Sequence, residues 1–244
     1  MRRTIVLALA CLISSTLVAC GGDSSTTEPP DGGRVAGDPP GWNGSGSGYQ
    51  IGLDNSESHD GETSAYISAT SRNGESFGVL MQTIRADAYR GKRMRWSGWV
   101  KHTDLTGPDI GLWMRVDGPG EVASFDNMSA RSLSGSSDWH QVSVVLDVPE
   151  NAIGIALGTL MVGTGTLLID DLALEEVGSD VPTTNLYDTP GPGPDSATAV
   201  QTYEGRPGAP ANLDFEGLTS TSRATVSWLH DNRTLLVAAA PARS

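Results

Sequence analysis

The chain has 244 residues, 38% of them hydrophobic and 18% charged, with a formal net charge of −13. Such acidity repels phosphate backbones and anionic head groups, so nucleic acid is not an expected partner. Once signal, tether and tail are set aside, the length suffices for about one domain of ordinary size.

In chain order, Met1-Arg2-Arg3 precedes an apolar run from Ile5 to Ile13 and then Ser14-Ser15-Thr16. A basic start and a short apolar segment are the layout of a signal peptide, and the run is shorter than the roughly 18 residues a membrane span needs. Leu17-Val18-Ala19-Cys20 resembles the lipobox of bacterial lipoproteins. The resemblance implies a signal peptide at 1–19, cleavage before Cys20, and acylation of its thiol as a lipid anchor in the cell envelope. Gly21 after that cysteine implies the outer membrane where the cell has one. Cys11 leaves with the signal, so the mature chain has no disulfide and no cysteine-based metal site within a monomer. Residues 20–41 are dominated by Gly, Pro, Ser, Thr and Asp. They read as a flexible tether with a reach on the order of 25 Å.

From 42 to 177, short alternating runs are separated by turn residues, the mark of half-buried strands. In one, Met94, Trp96 and Val100 share a face opposite Arg95, Trp99 and Lys101. In another, Leu112, Met114 and Val116 oppose Trp113, Arg115 and Asp117. Val142, Val144 and Leu146 repeat the pattern, and further strands are predicted at Ser64–Ala69, Phe77–Arg85, Ile153–Met161 and Thr166–Glu175. No amphipathic helix stands out; Ala86–Tyr89 reads as one short turn. The predicted fold is all-β, a two-sheet jelly-roll sandwich at 42–177. A largely irregular tail follows at 178–244, with a proline-rich linker up to 210.

The order Gly41-Trp42, Tyr49–Asp54, Ser58-His59-Asp60-Gly61, Phe77–Gln82, Tyr89–Arg93, Gly111–Gly118, Phe125–Met128, Ser137-Asp138-Trp139, Asp147–Glu150 and Ile169-Asp170-Asp171 resembles the galactose-binding-like β-sandwich modules related to carbohydrate-binding modules. Such modules sit beside extracellular hydrolases and esterases and beside some transcription regulators. They usually open with a strand like Asn-Leu-Asp-Phe-Glu before the Gly-Trp. Here Arg34-Val35-Ala36-Gly37-Asp38 holds that place, and the motif falls at Asn212–Glu216. Either residues 212–244 are the truncated start of a second module or downstream domain, or the C-terminal segment folds back to supply the missing edge strand. The interrupted character of the sequence after Leu218 favours truncation.

If the two tryptophan-bearing strands share a sheet, Arg95, Trp99, Trp113, Arg115 and Asp117 form an aromatic and charged face, with Asn127 at a nearby turn. Sugar rings stack their C–H faces on aromatics while charged groups bond their hydroxyls. The plainer alternative is that these tryptophans only cover a sheet. The adjacent carboxylates Asp170 and Asp171, with Asp54, are candidates for a structural calcium, since one of two neighbours in a strand should face inward. No other cofactor is indicated. His59, His102, His140 and His230 lack metal spacing, and no Gly-x-Ser-x-Gly elbow occurs, so an enzyme is not expected. The reading is a membrane-anchored, non-catalytic module for carbohydrate or a glycoconjugate. Its rivals are a structural or protein-interaction lipoprotein and an accessory fragment of an extracellular hydrolase.

Overall fold

A computed structural model describes residues 33–70, 76–187 and 203–217 and the backbone of 191–192. All belong to one compact unit. The signal segment, Cys20 and most of the tether lie outside the described residues, as do Leu235–Ala240. Among those described, no helix is long and apolar enough to cross a membrane.

The described residues form ten strands: β1 (Arg34–Ala36), β2 (Asn43–Ser45), β3 (Tyr49–Asp54), β4 (Ser64–Ala69), β5 (Gly78–Arg85), β6 (Lys92–Gly118), β7 (Glu121–Asp126), β8 (Gly135–Val148), β9 (Gly154–Val177) and β10 (Gly191–Pro192). All the pairings are antiparallel. The all-β prediction holds. The stretches 94–101 and 111–117, read as separate strands, are two halves of the 27-residue β6, which runs beside β9 through two layers.

In the first layer, the first half of β6 and the second half of β9 lie between β8 on one side and β4, β3 and β1 on the other. In the second layer, the other halves lie between β5 and β2 on one side and β7 and β10 on the other. The passage between layers has register shifts at Thr103/Thr106 and Thr106/Asp109. Gly107 and Gly163 make that crossing feasible. A Cβ on either would overlap the carbonyl of Val162 or Thr106 on the partner strand, so only glycine lets the backbones approach.

Inward residues of both layers form one core. Ile67, Trp96, Leu146 and Ile169 come from the first layer and Leu80, Leu112, Met114 and Leu157 from the second. The Trp96 indole crosses this core to donate to the Gly158 carbonyl at 3.2 Å, so the layers face one another.

Both ends of the predicted module extend further than the composition suggested. Arg34–Ala36, placed in the tether, pairs with Asp54–Gly52. Thr184 exchanges bonds with the backbone of Val145, and the Leu186 amide donates to the Phe125 carbonyl. This segment, read as linker, therefore stitches β8 to β7. Residues 203–217 also pack on the sandwich. The Trp42 indole donates to the Asn212 carbonyl, the Leu172 amide donates to that of Leu213, and Phe215 enters the core at 1% exposure. The described Asn212–Glu216 segment is folded back on the sandwich, as bends and not as a strand; the rest of the 212–244 stretch, on which a second module would depend, lies outside the described residues. Prolines hid this, because such a segment docks through side chains and single backbone bonds without periodicity.

Candidate functional site

The predicted face divides in two. Because β6 changes layer, Arg95, Trp99 and Lys101 lie on the outer face of the first layer, and Trp113, Arg115 and Asp117 on that of the second. Both stretches belong to one strand of one continuous sheet, but that strand changes layer between them, so Trp99 and Trp113 are on opposite sides of the molecule. Asn127 follows β7 with its side-chain carbonyl accepting the Ser129 amide, an ordinary turn role.

Around Trp99 the structure assembles residues the sequence did not group. His59, from the loop after β3, stacks on Trp99 with centroids 3.9 Å apart and planes at 12°. Trp139 of β8 meets the same imidazole edge-on at 5.9 Å. Lys101, two residues beyond Trp99 and hence on the same face, contacts Glu57 at 2.5 Å and Asp138 at 3.2 Å. These two carboxylates raise the Lys101 pKa, and the Trp139 amide together with Lys101 holds Asp138 below the usual carboxylate range. Trp99, Trp139 and His59 are half-buried and Asp138 is exposed, so the cluster is an open platform with aromatic and charged groups reachable from solvent. Arg95 lies on the same face, about 13 Å away along the strand.

The loop is fixed by the Asp170-Asp171 pair. Asp171 adopts φ 45°, and the register of β9 against β6 slips between Ser97 and Trp99, a β-bulge with its extra residue on β9. The bulge turns both carboxylates toward the 57–63 loop: Asp170 is fully buried, as alternation predicts for one of the pair, but meets backbone amides there, and Asp171 stays partly exposed. Asp170 accepts the His59 amide at 2.8 Å and the Asp171 amide at 2.8 Å; Asp171 meets His59 Nδ1 at 2.6 Å. Downstream, Asp171, Leu172, Asn212, Leu213 and Asp214 line a hollow of about 430 Å³.

The calcium expectation does not fit these side chains. Asp54 spends its oxygens on Arg34 and Ser56. Burial would raise its pKa, but those hydrogen bonds outweigh burial and lower it. Asp170 faces N–H donors where a cation would need lone pairs only. Among the described residues, no three acidic, histidine or cysteine side chains are grouped for a metal.

Burial pushes the Asp170 pKa up to about 6, against the pull of the His59 and Asp171 amides. Its folded value exceeds the unfolded one of about 4, so its contribution is full below about pH 4 and is lost as pH rises through 6. The stability gap between wild type and Asp170→Asn is therefore expected to widen on acidification from pH 7 to 4, by on the order of 2 kcal/mol. Denaturation midpoints across that range check it. A gap independent of pH would show that Asp170 is not strained by its charge.

On the opposite face, Trp113 is 9% exposed and packs with Val79, Met81, Ala156, Phe125 and Leu160. Arg115 pairs with the fully buried Asp117, which also accepts the Tyr203 hydroxyl at 2.7 Å. The sequence pattern does not single out His59 and Trp139 for the Trp99 face. Their motifs were visible, but nothing local says that a loop before β4 folds over a strand forty residues on.

No family model matches the sequence. Over 141 residues it is 40% identical to an uncharacterized HTH-type transcriptional regulator of Bacillus subtilis (strain 168), covering 57% of this chain and 47% of that protein. The chain thus spans about half the length of the curated relative it matches. Among solved structures, it is similar to the CBM22-1 xylan-binding domain from Paenibacillus barcinonensis Xyn10C, with 14% identity, a TM-score of 0.42, and 59% and 90% of the two chains covered. It is also similar to a CBM61 module in complex with β-1,4-galactotriose, with 14% identity, a TM-score of 0.39, and 58% and 92% covered. A Stig cyclase from Fischerella sp. TAU matches with 13% identity, a TM-score of 0.45, and 59% and 88% covered.

Proposed function

We propose that this chain is an envelope-anchored, non-catalytic module that recognises carbohydrate or a glycoconjugate through the Trp99 face. The observation that carries the reading is the Trp99–His59–Trp139 cluster standing beside Lys101, Glu57 and Asp138. Aromatic surfaces take the C–H faces of a pyranose, and the ammonium and carboxylates offer the donors and acceptors that orient its hydroxyls. The groups are held in place before any ligand arrives: Asp170 fixes the His59 backbone, Asp171 its ring, and the ion pairs fix Lys101. Preorganisation of this kind lowers the entropic cost of binding.

The similarity to part of a transcription regulator supports a portable recognition unit. Helix-turn-helix proteins read DNA with paired helices, whereas the described elements here are strands and one 3-10 turn. The net charge of −13 likewise disfavours DNA as the ligand.

A fluorescence titration with a panel of soluble oligosaccharides tests the reading. Saturable change in tryptophan emission with at least one sugar is the expected result. A folded protein unaffected by every sugar would overturn it and favour a protein partner on the same platform. Anchoring has its own test. Cys20→Ser is expected to abolish incorporation of labelled palmitate and release the protein from the membrane fraction; continued fractionation with membranes would remove Cys20 as the anchor.

A further inference from the structure

The outer face of the second layer contains a trough with its own occupant. Ile155 and Leu157 of β9 point into the core, so Gly154, Ala156 and Gly158 face outward. They pair with Asp117, Arg115 and Trp113 of β6 on one side and with Arg85, Thr83 and Met81 of β5 on the other. A floor of small residues thus runs between two rows of larger ones. At the Gly154 end lies the ring of Tyr203, 3% exposed, where a Cβ on Gly154 would overlap it. The Tyr203 hydroxyl donates to Asp117 Oδ2 at 2.7 Å, and Arg115 Nη2 donates to the same oxygen at 2.8 Å.

The polar groups of this trough are not all satisfied. Trp113 Nε1 and Asp117 Oδ1 are buried without a hydrogen-bond partner; Arg115 Nε lies 2.8 Å from that Oδ1, but not in hydrogen-bonding geometry. Buried polar groups without a hydrogen-bond partner are uncommon and call for one, such as an ordered water or a bound polar ligand. A tyrosine offers one hydroxyl. A ring with several would donate to Asp117 and accept from Arg115 and the Trp113 indole together.

We propose that this trough is a second sugar site, separate from the Trp99 face, and that Tyr203 is its built-in occupant, which a pyranose ring must displace. Tyr203 can leave without the rest of its segment. The Arg85 amide holds the Pro207 carbonyl, Gln82 clasps both the amide and the carbonyl of Ala211, and Phe215 is anchored in the core. Competition from a tethered ring lowers apparent affinity by the fraction of time the site is free, so opening the site raises affinity.

The experiment uses the full chain carrying Trp99→Ala, so that the two faces are read apart, with and without Tyr203→Ala. The probes are methyl β-D-galactopyranoside, methyl β-D-glucopyranoside, methyl α-D-mannopyranoside and 4-methylphenol, followed through the Trp113 indole and Gly154 amide resonances. Tyr203→Ala is expected to bind at least one pyranoside about 10-fold more tightly than the chain with Tyr203, shifting both resonances. A folded Tyr203→Ala variant that binds no pyranoside, or only 4-methylphenol, would show that the slot is a tyrosine anchor and overturn the proposal. Should that variant fail to fold, Tyr203→Phe keeps the ring and loses only the bond to Asp117. It is then expected to bind a pyranoside about threefold more tightly, and no gain would equally overturn the proposal.

Discussion

Phe215→Ala lowers the unfolding free energy by about 3–5 kcal/mol, the range for truncating a fully buried aromatic. The side chain is 1% exposed and packs on Trp42 with centroids 5.4 Å apart, and Trp42 in turn lies 6.4 Å from Trp96. Losing the ring also weakens what it positions. Glu216 accepts the amides of Glu62 at 2.6 Å and Thr63 at 2.8 Å, at the start of β4, and Asn212 accepts the Trp42 indole. Phe215 itself sits at φ 56°, a conformation that costs a non-glycine residue energy and persists where packing over-determines it. Urea denaturation measures the change as a lower midpoint at unchanged slope. A loss below about 1 kcal/mol, typical of surface positions, would mean the segment rests on the domain without completing it.

Trp99→Ala costs about 30-fold or more in sugar affinity, the effect of removing a hot-spot aromatic worth about 2 kcal/mol. Stability should change by only about 1 kcal/mol, because Trp99 is half-buried on an outer face. Trp96, three residues earlier and on the core side, behaves in the opposite way: its truncation removes a fully buried indole and the bond to Gly158. Calorimetric titration alongside thermal melts separates the two. Equal affinity in wild type and Trp99→Ala would displace the ligand from this platform.

Much of the fold was legible because alternation is a local property. The core faces of both halves of β6 and the inward Val144 and Leu146 follow from period two alone, and their burial agrees. What alternation does not encode is where a strand leaves its layer. Gly107 and Gly163 permit the crossing, yet each is only one glycine among 30 in the sequence. Missing the crossing placed Trp99 and Trp113 on one face. For the Asp170-Asp171 pair, alternation predicts one buried carboxylate, and Asp170 is buried; what it does not encode is the bulge that hands both to the 57–63 loop. His59 shows the other limit: its partners Trp99 and Asp171 lie 40 and 112 residues away, and nothing periodic links them. The C-terminal segment was hard for a third reason. Its Asn-Leu-Asp-Phe-Glu run was recognised, but its docking depends on complementarity with Trp42 and the β4 amides, which a linear pattern does not carry.

The central claim is that sugar is taken at the Trp99 platform, and indole N–H resonances of the wild-type chain test it most directly. On titration with a glycan panel, the Trp99 and Trp139 signals are expected to move together and saturate with a common Kd, while those of the buried Trp42 and Trp96 stay in place. Binding that leaves Trp99 and Trp139 unmoved, or no response to any sugar, would contradict the account.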